Sequence, residues 1–432
     1  MSQQGTSDQN RAVRASHGWR EALVAVLATL VALILTAALG LWAAGAADLP
    51  GSAFWSIVAA VVVMAVGGTV ELSGDAGVIA DTRAGLTVLP LSVTLAGALV
   101  VAAGFLRPLR HRAVAGAREL AGWAGRLAAV WAVALIALSL LARHTFDIPL
   151  GEGAVSDIGE LLDASPKVGF RADIALTLVF GLLWLAGLIV LALLVSRGAP
   201  LPPRLLRFQE SVRPAAYAMV ALLLACVAVG LVIGLVVAAT QGHAAETFAV
   251  ILLGLPNLTW LAFTLGLGAS WEGKVEGPFG LPMPKVLDQV LRTPEQSTLN
   301  LSTLSEYDSR VWWLMVVAAV LLLAAAFLMA VRSPARMRPW QHAVHMAVAL
   351  VLTVLTICLV ARVFAHYGLS LFGIGDIGGG LAGEVSLRPR LWSALGLAAL
   401  WGLATGFLGS LLALRVHRRG EVDPDKPQPD QP

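Results

Sequence analysis

Residues 174–195 read IALTLVFGLLWLAGLIVLALLV, twenty-two in a row without a charged side chain. A bilayer core of roughly 30 Å takes about 20 apolar residues in helix. The apolar character is continuous and lacks period-2 alternation, so the run reads as a helix and not as a barrel strand. Seven comparable runs surround it: Ala22–Ala44, Gly85–Leu106, Ala121–Leu141, Ala215–Ala239, Val311–Val331, Ala343–Ala361 and Leu391–Leu414. The expected class is all-α, a polytopic transmembrane helical bundle of eight spans.

Composition points the same way. Of 432 residues, 58% are hydrophobic and 13% charged, against roughly 45–50% and 25% in soluble domains. So few charges cannot cover a soluble surface, which excludes a water-soluble enzyme and a disordered chain. The net charge is only +3, and its basic residues are scattered over short loops, so no nucleic-acid partner is expected. Cys226 and Cys358 both lie inside apolar runs, with no CxxC and no metal spacing. No cofactor and no metal is expected. Arg outnumbers Lys by 26 to 4, as in GC-rich bacterial genomes.

Two further runs are ambiguous. Phe54–Val70 is short and ends in Gly67-Gly68-Thr69-Val70-Glu71, while Phe248–Ala269 carries Gly254-Leu255-Pro256-Asn257 in its middle. Proline and glycine there break or bend a helix. If both runs cross, the chain has ten spans, and the basic loop Arg107–Arg126 falls outside, against the positive-inside rule. If both enter and leave on the outer side, eight spans remain. The inner segments then hold 19 Lys/Arg and 8 Asp/Glu, the outer ones 11 and 19. We therefore expect eight spans plus two re-entrant or broken segments, with ten spans as the alternative. Both termini are cytoplasmic, in a bacterial plasma membrane. The first run exceeds the 7–15 residues of a signal-peptide core and is read as a retained span.

The chain divides into a cytoplasmic N-terminal segment (1–20), a first membrane repeat (21–198), a basic linker (199–214), a second membrane repeat (215–415) and a disordered tail (416–432). The repeat rests on colinear landmarks. Trp123 matches Trp340, Arg171 matches Arg388 and Trp184 matches Trp401, each 217 positions apart. Ala142-Arg143 matches Ala361-Arg362, and Asp157-Ile158-Gly159 matches Asp376-Ile377-Gly378, at 219. Glu71 matches Glu272 at 201. Eight spans make the two halves parallel, and ten make them inverted. A pair of broken segments facing one side points to a site between the repeats.

Span interiors carry no Asp, Glu, Lys or Arg near their centres, which speaks against an ion-coupled pump. The candidate outward-cavity residues are Glu71, Glu272, Arg143, Arg362, Asp157, Asp376, Pro256 and Asn257. The two glutamates could face one cavity, or could simply mark the outer border. Arg143 and Arg362 could pair with them or snorkel to headgroups. Asp157 and Asp376 sit beside glycines, as turn and cap residues do. His342 and His345 share a helix face without a further ligand nearby. Trp123, Trp340 and Trp312–Trp313 read as interfacial anchors. Gly230-x-x-x-Gly234 and Gly402-x-x-x-Gly406 permit close helix approach. Residues Met283–Arg292 form an amphipathic stretch that either lies in the outer interface or caps the bundle. No Walker, HExxH, GxSxG or kinase signature is present.

In size, in the Arg-rich lead Arg11–Arg20, in Gly67-Gly68-Thr69-Val70-Glu71-Leu72-Ser73-Gly74 and in span pattern, almost the whole chain resembles the streptophobe family, hydrophobic multipass proteins of Streptomyces-type bacteria. The resemblance implies a bacterial inner-membrane protein and supplies no substrate. Three functions stay open. One is a permease-like transporter with a small-molecule substrate bound between the repeats. Another is a non-catalytic scaffold for a membrane protein partner. The last is an outer-face enzyme using Glu71 or Glu272, the least expected because no catalytic signature exists.

Overall fold

The computed structural model describes residues 18–49, 53–75, 80–109, 117–147, 167–196, 203–275, 291, 297–334, 337–371 and 383–414. Among them are eleven α-helices. In chain order these are α1 (Trp19–Ala43), α2 (Ala53–Ala65), α3 (Leu91–Leu106), α4 (Ala117–Leu141), α5 (Ile174–Val195), α6 (Pro203–Thr240), α7 (Ala244–Gly266), α8 (Leu301–Tyr307), α9 (Trp313–Arg332), α10 (Pro339–Val360) and α11 (Leu391–Ala413). Eight of these regions are long and apolar enough to cross a membrane: those of α1, α4, α5, α6, α7, α9, α10 and α11. The set differs from expectation in two members. The broken run is one helix, α7, and the run Gly85–Leu106 starts as a strand, so that α3 keeps only 16 residues. Pro90 stands at its N-cap, and the residue before a proline avoids helical geometry.

The all-α expectation needs correction as well. An antiparallel eight-stranded sheet joins the helix ends, built from β1 (Val70–Asp75), β2 (Ala80–Thr87), β3 (Arg143–Asp147), β4 (Lys167–Ala172), β5 (Trp271–Val275), β6 (Ser297–Leu299), β7 (Val363–Leu371) and β8 (Gly383–Pro389). The strand order is β3-β4-β1-β2-β7-β8-β5-β6. Strands such as VELSGD and ADTRAGLT lack a clean apolar alternation. Sheets of this kind give little signal to a hydropathy pattern.

Each half has its own apolar core. One spans Ala22 to Leu185, centred on the fully buried Trp123 and Trp131. The other spans Ala215 to Ala398, around Trp271 and Leu322. Trp123 is therefore a core residue rather than an interfacial anchor, and its indole N–H donates to the Phe105 carbonyl at 3.3 Å. Trp340, Trp312 and Trp313 are exposed, as anchors are.

Without a hydrophobic drive between helices in lipid, close contact supplies the attraction. A Cβ at Gly402 would fall 2.4 Å from Ala347 Cα, and one at Gly406 2.8 Å from Ala343 Cα, so α10 and α11 touch backbone to backbone. Gly230 and Gly234 similarly admit Thr259 and Ile251 of α7 against α6. Gly402→Ala should therefore cost about 1–3 kcal/mol through overpacking. Gly396→Ala, where no atom lies within 4 Å, is the control. Thermal unfolding in detergent should show a lower midpoint for the first and an unchanged midpoint for the second.

Candidate functional site

The two short-range reversals beneath the sheet are built alike. At the end of α2, Gly68 N–H donates to Val63 O at 2.9 Å and Gly67 N–H to Met64 O at 3.0 Å. At the end of α7, Ala269 N–H donates to Thr264 O at 3.0 Å and Gly268 N–H to Leu265 O at 2.8 Å. These paired bonds, with a left-handed residue at the reversal, form a Schellman cap. Gly67 and Gly268 have φ of 89° and 90°, a region that disfavours any Cβ. Each cap feeds straight into a strand, β1 or β5. The next backbone bonds also correspond: Asp173 N–H donates to Thr69 O at 3.1 Å, and Arg390 N–H to Ser270 O at 3.0 Å.

Both helix ends lie below the sheet. Thr94, in the first turn of α3, donates through its hydroxyl to Ala65 O at 2.6 Å. Trp401 donates to Leu267 O at 3.0 Å. Trp401 sits about 15 Å along α11 from Leu391, at 1.5 Å per residue. The backbone then climbs to the level of Arg390 by Ser270. Thr69 Oγ1 is buried beside the first reversal and has no hydrogen-bond partner among the described residues.

Above each reversal sits a glutamate opposite an arginine. Glu71 pairs in register with Arg171, and Glu272 with Arg388. Glu71 forms an ion pair with Arg171 at 3.3 Å, with side chains 61% and 74% exposed. Glu272 turns to Arg390 at 2.7 Å instead, while Arg388 lies over the Phe364 ring at 5.5 Å. Arg143 stands opposite Arg171 in β3 and is exposed, as is Arg362. Among the described residues, then, the arginines that meet the glutamates are Arg171 and Arg390. The two glutamates do not meet each other. Four strand steps separate β1 from β5, about 19 Å along the sheet at 4.7–4.9 Å per step. Asp157 and Asp376 lie outside the described residues.

Pro256 and Asn257 occupy a different place, the seam between the halves. Pro256 is buried inside α7 and has no N–H, leaving the ladder open there. At the rung just before it, Ser92 of α3 enters that ladder. Its hydroxyl donates to Ile251 O at 2.7 Å and accepts from Leu255 N–H at 3.1 Å. Asn257 accepts from Leu91 N–H at 3.1 Å and donates to Leu89 O at 2.9 Å. It thereby caps α3 from the other half of the chain. Pattern reading singled out Pro256 and Asn257 but missed Ser92. A lone serine two residues after a proline carries no signal until its partner 159 residues away is known.

Among the described residues no group of three His, Cys, Asp or Glu is placed to hold a metal. His342 is buried between α10 and α11 near Gly406. Leu291, from the stretch read as an amphipathic helix, is buried with Val275 and Val385, so that residue covers the sheet rather than lipid. No known protein family, no curated protein and no solved structure matches this chain.

Removing the Asn257 amide strands buried backbone groups, so Asn257→Ala should lower stability by about 1–3 kcal/mol. The solvated glutamate pairs should matter less. Glu71→Gln and Glu272→Gln should stay within about 1 kcal/mol of wild type. Unfolding of the solubilised protein gives the ranking, and an Asn257→Ala protein as stable as the glutamine variants would refute the seam's role.

Proposed function

We propose that the chain is a duplicated plasma-membrane protein with eight crossing helices, α1, α3, α4, α5, α6, α9, α10 and α11. In this reading α2 and α7 enter from the sheet side and return to it. The supporting observation is connectivity: all eight strands share one sheet, so every helix end that feeds a strand belongs on one side. Arg107, Arg118, Arg332 and Arg338 sit at the opposite helix ends. The positive-inside rule then makes the sheet extracytoplasmic and both termini cytoplasmic. The matching registers, caps and Glu–Arg rows of the two halves support the duplication. Resemblance to the streptophobe family fits the same bacterial membrane setting.

On this topology the function we propose is downhill, permease-like passage or binding of a small uncharged solute at the re-entrant ends. The observation that carries it is the pair of Schellman-capped helices that stop inside the protein, beside the hydroxyls of Thr69 and Ser270. Irregular backbone at membrane depth is tolerated where it is buried or lines a polar path, and paired broken helices are the usual mark of a transport site. Uncharged span centres suit a neutral solute and no ion coupling. The second reading, a scaffold for a membrane protein partner, is favoured by the hydrogen-bonded seam at Ser92 and Asn257, which ties the halves together. An outer-face enzyme with a glutamate dyad is the weakest reading, since the two glutamates sit about 19 Å apart along the sheet.

Two measurements follow. With Cys226 and Cys358 replaced, cysteines at Ser73 and Ser297 should react with a membrane-impermeant maleimide added outside intact cells, and one at His417 should not. Protection of either sheet position sinks the topology. Proteoliposomes should take up at least one neutral solute, from a panel of polyols, urea and sugars, faster than protein-free liposomes. Thr69→Trp with Ser270→Trp should abolish the difference. Permeability equal to bare lipid for the whole panel, with folded protein, favours the scaffold.

A further inference from the structure

The sheet order β3-β4-β1-β2-β7-β8-β5-β6 contains one pattern twice. In each half the third and fourth strands come first, followed by the first and second. Registers repeat along with order. Val70 pairs with Leu86 as Trp271 pairs with Leu299, and Val70 pairs with Ala172 as Trp271 pairs with Pro389. Shifting the β3·β4 partners by the repeat offsets, 219 for β3 and 217 for β4, turns the pairs from His144↔Phe170 to Asp147↔Lys167 into β7·β8 pairs, Val363↔Leu387 to His366↔Glu384.

The halves meet where β2, the second strand of one, pairs with β7, the third strand of the other, from Ala80↔Leu371 to Thr87↔Phe364. Among the described residues the sheet therefore ends on β3, a third strand, and on β6, a second strand. Its two edges are the two strand types that already join in its middle.

The helices show the same one-way relation. Across the junction α7 packs on α1 and α3, with Leu253 against Gly40 and with the Ser92 and Asn257 bonds. The counterpart of α7 in the first half is α2, which packs on α1, α3 and α4 of its own half. A twofold axis would require this junction twice within one chain, and among the described residues it occurs once. The relation between the halves is head to tail, and a head-to-tail relation repeats until a ring closes. Edge strands also present backbone groups suited to strand addition.

We propose that a second copy of this chain continues the sheet, β3 of one copy pairing antiparallel with β6 of the next in the register of the β2·β7 junction. This rests on the duplication proposed above. Carried over by the repeat offsets, Gly85↔His366 and Leu86↔Ala365 become Thr298↔Asp147 and Leu299↔Phe146 between copies. The occupant is the same chain because its own third strand already has a matching site, in register and direction, in the middle of the sheet.

The test is cysteine crosslinking in native membranes, in the full chain lacking Cys226 and Cys358. Asp147→Cys on one tagged copy and Thr298→Cys on a differently tagged copy, co-expressed, should give a crosslinked species carrying both tags. Thr145→Cys with Thr298→Cys, two residues out of register, should give far less. The protein in lipid nanodiscs should have the mass of two or more chains. A single-chain mass without intercopy crosslinks overturns the proposal. So does a crosslink confined to one copy in the Asp147→Cys/Thr298→Cys double variant, since the sheet then closes on itself. Gly85→Cys with His366→Cys, in one chain, reads the internal junction in parallel. If that pair crosslinks and the edge pair does not, the assembly fails and the duplicated sheet stands. If the internal pair also fails, the duplicated sheet is at fault.

Discussion

Backbone amides away from water must find partners inside the protein, and this constraint governs how α2 and α7 can stop where they do. A helix end leaves four carbonyls without intrahelical partners. At both ends a left-handed glycine turns the chain so that its own N–H and the next one satisfy carbonyls of the last turn. The chain then rises as a strand and hands its backbone bonds to the sheet. Without the sheet the reversals would have nowhere to go, and without the glycines the strands could not start.

Within α7 the same requirement is met by the other half of the molecule. Pro256 opens the helix ladder, and the Ser92 hydroxyl bridges Leu255 N–H to Ile251 O at the rung just before it. Asn257 in turn satisfies the start of α3. The two halves keep separate apolar cores, so this small set of polar bonds and the β2·β7 ladder are specific ties across the seam. Lipid supplies no hydrophobic preference for one helix pairing over another, which leaves such bonds and close glycine contacts to define the arrangement.

The glutamate and arginine rows illustrate how repetition and difference coexist. Glu71 and Glu272 hold equivalent register positions, but one pairs with the arginine opposite and the other with Arg390, two residues further along β8's chain direction. Their solvated setting keeps the pairs weak, so they align strands more than they stabilise them. Their separation by four strand steps makes each the property of its own half.

Hydropathy alone determined that the chain is a bundle of apolar helices, because length and lack of charge are local properties that lipid selects directly. The ambiguity of Phe54–Val70 and Phe248–Ala269 was also legible, since Gly67-Gly68 and Pro256 are local breakers. The common spacing of landmarks such as Arg171/Arg388 and Trp184/Trp401 was legible too, and the duplication proposed above starts from it. The sheet was not legible: its strands are short, mixed in polarity and paired across as many as 291 positions, as at Ala80↔Leu371. Nor could spacing tell that Ser92 meets Ile251, that Trp123 is core, or that Glu71 and Glu272 stand apart. Those are facts of which helix or strand lies beside which, and contact between distant segments is decided only when the whole chain has packed.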